Sequence, residues 1–137
     1  MKLIKNKLSN DAGLFVFRLL AAIALLKAHG LPKILNFQDT LLHIPDPLGL
    51  GTTFSTYFAI FTNILCSIMV ALGLFTRAAA FFIFSLTLSG LLLVHFNDSY
   101  KIQDVPIIYS IVFGFITYLG AGRYSLDFII KHCNHEV

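Results

Sequence analysis

The sequence predicts an all-α fold, an integral membrane four-helix transmembrane bundle, and three observations carry the prediction. Of the 137 residues, 57% are hydrophobic and only 12% are charged, about half the charge of a soluble domain, and the mean hydropathy is +0.80. The apolar residues gather in four continuous blocks, at about 12–29, 53–75, 78–96 and 105–121, near the ~18–20 residues that a spanning helix needs. None of the blocks alternates residue by residue, as the strands of a transmembrane barrel do. The length leaves room for one membrane domain, residues 1–137.

The first block, with FVFRLLAAIALLKAHGLPK at its core, is apolar yet carries Arg18, Lys27 and His29. At about 100° per residue, Arg18, Ala22, Leu25, Leu26 and His29 share one face, with the guanidinium and the imidazole about 16 Å apart along the axis. Lys27 points the other way, near enough to the end to snorkel. Asn10 or Asp11 is placed to cap the helix start, and Gly30, Pro32 and Lys33 to stop it. A basic start followed by LLAAIALL also resembles a secretory signal, but Arg18 interrupts the apolar run and no small-residue cleavage pattern follows. The block is therefore expected to stay as a helix.

Residues 34–52 are expected to form an ordered or re-entrant loop, because IPDPLGLGTT holds Pro45, Pro47, Gly49 and Gly51. The second helix then presents Thr52, Thr56, Asn63 and Ser67 on one face beside Cys66. Such groups turn toward other helices, since an unpaired amide in hydrocarbon costs several kcal/mol. Only Thr76 and Arg77 separate the second and third blocks, which makes them an antiparallel hairpin. Ser85 and Ser89 give the third helix a small-residue face. His95 ends it, followed by the polar loop NDSYKIQD. The fourth helix is expected to begin after Asp104 and Pro106, with Ser110, Gly114, Thr117 and Ala121 as a packing face.

The net charge of +3 and isoelectric point near 9.0 reflect basic residues at helix ends, so no nucleic-acid partner is expected. Lys2, Lys5, Lys7, Arg77, Arg123 and Lys131 fall on one side, with Arg18 leaning to it. The positive-inside rule then places both termini in the cytoplasm of a bacterial-type inner membrane. Cys66 and Cys133 have no redox spacing.

Three blocks carry a family resemblance. HGLPK at 29–33 resembles the end of the first helix in DoxX-family membrane proteins, ALGLFTRAAAF at 71–81 their second-to-third helix junction, and GAGRYSLD at 120–127 their C-terminal signature. The resemblance implies a four-helix bundle and a loose link to the small membrane subunit of thiosulfate:quinone oxidoreductase (DoxD), without settling the chemistry. Where that family often has an acidic residue on the second helix this chain has Asn63, which does not titrate, and Cys66-Ser67 stands in place of a Gly-Gly pair. Asp104 matches the acidic residue often found ahead of the fourth helix.

Arg18, His29, Asn63 and His95 are the candidate polar contacts to a quinone or lipid. His29, His43 and His95, with Asp98 and Asp104, lie toward the same side, but their spacing is that of no compact zinc site, so no metal is expected. Gly120, Gly122, Ser125 and Asp127 form a structural motif: glycine conformations, a serine cap on a short helix near Leu126, and an acid in its first turn. Asp127 is expected to pair with Arg77 or Arg123. The function expected is that of a small inner-membrane subunit of a redox system, in contact with the quinone pool and a separate redox protein. That makes it a candidate oxidoreductase subunit without a cofactor motif of its own; a quinone is the one ligand left open. The alternative is a non-enzymatic scaffold that recruits partners. Membrane lipids are expected neighbours, and a second copy of the chain a further one; a transporter fits less well, since no inverted repeat is evident.

Overall fold

The computed structural model describes residues 2–133, with side chains from residue 10 onward, so the side chains of Lys2, Lys5 and Lys7 lie outside it. Among the described residues there is no strand. Four helical spans are long and apolar enough to cross a membrane: Asn10–Leu35, Thr52–Leu72, Thr76–Val94 and Tyr100–Leu119. The first packs along the second, the second against the third, and the third most closely along the fourth. With an even number of spans, residues near both chain ends lie on one side (the terminal side), opposite the far side.

The spans are not continuous α-helix. The first joins α1 (Lys2–Leu25) to α2 (Leu31–Leu35) through a π-helical segment, Leu26–Gly30. The second joins α4 (Thr52–Ile60) to α5 (Ser67–Leu72) through Phe61–Cys66. The third, α6 (Thr76–Ser89), ends in Gly90–Val94. Isolated π-helical turns recur at functional sites. Here they carry or adjoin His29, Asn63 and His95.

Several expected boundaries shift. Asn10 and Asp11 cap nothing, because α1 runs through them. Gly30, Pro32 and Lys33 do not stop the first helix. Pro32 falls in the first turn of α2, where its missing N–H costs no α-helical bond. Residues 34–52 are not all loop, since α3 (Phe37–His43) occupies much of them. Beyond it, the Asp46 carboxylate accepts from Gly51 N–H at 2.7 Å, Leu50 N–H at 3.1 Å and Ser55 Oγ at 3.0 Å. The turn between second and third spans is residues 73–75, and Thr76 and Arg77 already belong to α6. The fourth span, α7 (Tyr100–Leu119), starts ahead of Asp104 and holds Pro106 inside it.

The buried apolar core runs through Ala22, Leu25, Val70, Ala80, Ile83 and Phe113. Lipid-facing positions stay apolar, among them Leu20, Leu92 and Ile111. Between apolar helices in lipid, close packing and polar bonds hold the bundle together rather than water exclusion. The small face of α7 serves this way. Gly114 brings the backbone so near α6 that a Cβ would meet the Phe84 ring at 3.2 Å, and Ser110 Oγ donates to Thr87 Oγ1 at 3.0 Å. The short helix α8 (Leu126–Cys133) closes the described chain, its first turn capped by Ser125 Oγ, which accepts from Phe128 N–H at 3.2 Å.

Candidate functional site

The face of the first span predicted to point inward does so, but its two ionisable groups go to different places. Arg18 is fully buried and commits its guanidinium to the main-chain oxygens of Ala121 and, at 2.8 Å, Tyr124. Its ring neighbour is Phe15, 5.8 Å from the guanidinium carbon. Gly73 ends α5 with φ +75°, and a Cβ there would run into Ser125 and the Arg18 guanidinium. Arg18 therefore belongs to a junction on the terminal side, away from the other three candidate contacts.

Asp127 completes that junction. In place of the expected arginine, its carboxylate accepts Phe75 N–H at 2.7 Å and Thr76 N–H at 3.0 Å, while its own N–H donates to Gly73 O at 2.9 Å. The charge sits on the free amides at the start of α6, where the helix dipole favours it. This anchors Phe75, the one non-glycine residue among those described with positive φ, at +44°. Arg123 turns to Asp11, 3.8 Å away. Gly120 and Gly122 have φ +80° and +72°, as the predicted glycine-dependent exit from α7 requires.

On the far side the other three candidates come together. His29, Asn63 and His95 line one chamber of about 330 Å³, with Tyr109 and Pro106 of α7 as its opposite wall. The His29 and Tyr109 rings meet edge to face, centroids 5.4 Å apart. Gly30 lets the first and second spans touch here, since a Cβ would meet Asn63 O at 2.7 Å. Asn63 is only 4% exposed, and its Oδ1 has no hydrogen-bond partner. His95 Nδ1 lies 2.7 Å from Asp98 Oδ2, and Gln103 Nε2 ties down the loop by donating to His95 O at 2.8 Å. His43 does not converge with them. It is exposed and turned to Asp39 within α3, 3.1 Å away. Among the described residues no three His, Cys, Asp or Glu side chains gather as a metal site would require.

The polar stripe on the second span holds for Thr56, Asn63, Cys66 and Ser67, all buried, but Thr52 is exposed. The π-helical segment turns Thr62 inward as well. Regular helical spacing misses that residue, since it sits beside Asn63 in sequence. Nor does residue type alone single out Lys33 or Tyr109. Lys33 lines a second cavity of about 260 Å³ that shares Asn63, Leu86, Gly90 and His95 with the chamber.

A family model described as DoxX matches residues 13–96, well over half of the chain, and stops short of the 120–127 junction. No curated protein and no solved structure matches.

Proposed function

The chain belongs to the DoxX family, and on that premise we propose that it is a small membrane subunit of a redox system, holding the head of a lipid-soluble quinone in the far-side chamber. The observation that supports this reading is Asn63: a buried amide whose oxygen has no partner, on the wall of a chamber it shares with His29, His95 and Tyr109. A quinone offers only acceptor oxygens and its quinol offers hydroxyl donors. A carboxamide donates and accepts, so one side chain serves both forms. His95 is oriented through Nδ1 by Asp98, which leaves Nε2 to carry a proton between the chamber and far-side water. Reduction of the quinone takes up two electrons and two protons. The electrons come from a separate redox protein, because the sequence has no nucleotide loop, haem-attachment motif or cysteine cluster. In this reading the basic terminal side faces the cytoplasm of a bacterial-type inner membrane.

The test is an organic extract and an optical spectrum of the protein purified in mild detergent. A stoichiometric quinone that disappears in the Asn63→Leu, His95→Gln double variant supports the reading; a protein that retains neither quinone nor a redox partner refutes it. One observation favours a scaffold instead: the Arg18–Asp127 junction, which ties the first, third and fourth spans together through main-chain groups, lies away from the chamber. A scaffold would work unchanged in the double variant.

A further inference from the structure

The first span runs from the terminal side to the far side, so its Cα–Cβ bonds tilt back toward the terminal side and, at its far end, into the membrane. Lys33, near the far end, follows that tilt. Its Nζ donates to His29 O, one turn deeper, at 2.9 Å, whereas a snorkelling lysine reaches outward to water. The ammonium is half-buried and lines the second cavity, roofed by Pro45 and Pro47 and walled by Phe54 and Phe58 of α4. Among the described residues no carboxylate pairs with it, and His29 O is its one hydrogen-bond acceptor. A charge held among apolar groups calls for an opposite charge, and these walls supply none. Asn63, whose buried Oδ1 has no partner, is among the residues lining the same cavity.

We propose that this cavity binds an amphiphile with a monoanionic oxygen head, seated at Lys33 Nζ, and with its apolar part against Phe54 and Phe58. One ammonium without an arginine fork matches a single negative charge, as on a fatty-acid carboxylate or a lipid phosphodiester, rather than a dianionic phosphate. The site adjoins the quinone chamber and shares Asn63, Leu86, Gly90 and His95 with it, but Lys33 lines only this cavity and His29 and Tyr109 only the chamber, so variants at those residues separate the two.

Gly90 makes the proposal testable without harming the fold. It is helical, with φ −58° and ψ −43°, it lines the cavity, and a Cβ on it would meet nothing within 4 Å. A side chain there starts in open space, at the wall that the cavity shares with the chamber.

The experiment titrates a pyrene-labelled fatty acid and its methyl ester into the full chain in neutral detergent at about pH 8, where the carboxyl is ionised. The acid is expected to bind about tenfold more tightly than the ester, the worth of one charge-assisted bond. Lys33→Met removes that preference, Lys33→Arg keeps it, and Gly90→Leu weakens both probes without lowering the melting temperature. Lysophosphatidylglycerol is the second arm: Lys33-dependent binding of it, with no binding of the fatty acid, identifies the head as a lipid phosphodiester. Equal affinity for acid and ester together with Lys33-independent lysolipid binding overturns the proposal, as does an acid preference that survives Lys33→Met. Quinone retention in the same preparations, scored with His29→Leu, reports on the chamber separately.

Discussion

Arg18 in the first span donates through Nη2 to the main-chain oxygen of Tyr124, 106 residues further along the chain, at 2.8 Å. With its second bond, to Ala121 O, it fastens the exit of the fourth span to the first. Two carbonyls lose their donors if it goes. Arg18→Met is therefore expected to destabilise the protein by about 2–4 kcal/mol, with Arg18→Lys in between. Unfolding by a denaturing detergent in mixed micelles measures this, and a loss under about 1 kcal/mol would contradict the assigned role.

Asp127 holds the 73–76 turn through two backbone amides. Asp127→Ala is expected to cost about 1–2 kcal/mol, in the range of a lost helix cap, and Asp127→Asn less, since the amide keeps one acceptor. Asp11→Asn, which touches only the 3.8 Å contact to Arg123, is expected to cost under about 1 kcal/mol. If Asp11→Asn proves as damaging as Asp127→Ala in the same unfolding assay, the ranking is wrong.

Asn63 is the reverse case. Its oxygen has no protein partner to lose, so Asn63→Leu is expected to leave stability within about 1 kcal/mol of the parent or raise it. Quinone retention is expected to vanish at the same time. A variant that unfolds would mean the amide is helix glue.

Asp46 gives the far loop a pH dependence. The Gly51 N–H first, then the Ser55 hydroxyl and the Leu50 N–H, hold its carboxyl below the ordinary aspartate value. A depressed folded-state value means that the contribution to stability is complete above the unfolded value of about 3.9 and is lost as pH falls through the folded one. Protection of the Leu50 and Gly51 amides, measured against an unfolded peptide at the same pH, is expected to fall in that acid window, and Asp46→Asn to abolish this pH dependence. Protection that stays constant through the window in the parent protein would contradict the loop's dependence on this carboxylate.

The bundle is legible in the sequence because lipid demands long apolar runs, and the inward turn of Arg18, Ala22 and Leu25 follows from helical spacing. The ends of the elements are not. Pro32 and Pro106 read as boundaries, yet the first falls in a first helical turn and the second is accommodated within α7. Only their residue type groups His29, Asn63 and His95 in the sequence, and the structure gathers them. Arg18 reads as a fourth member of that group but lies in the terminal-side junction, because its partners are main-chain oxygens, which carry no signature in residue type. Ser85 and Ser89 stand out on the third helix, although Thr87 is the residue bonded to Ser110.

The π-helical segments have a genetic consequence. In each, a hydrogen bond closes one residue late, as from Leu31 N–H to Leu26 O and from His95 N–H to Gly90 O. Such a turn corresponds to one inserted codon in an ordinary helix. Deleting a codon within 26–30 should restore the regular winding. Because the bulge takes up one residue without changing phase, downstream residues such as Lys33 stay on their present face; the same deletion in an unbroken helix would swing them by about 100°. Arg18, upstream of the deletion, would keep its bonds. The first span can thus lose the bulge at His29 and Gly30 in a single frame-preserving event, without disturbing either the face that Lys33 presents or the end that holds the bundle together.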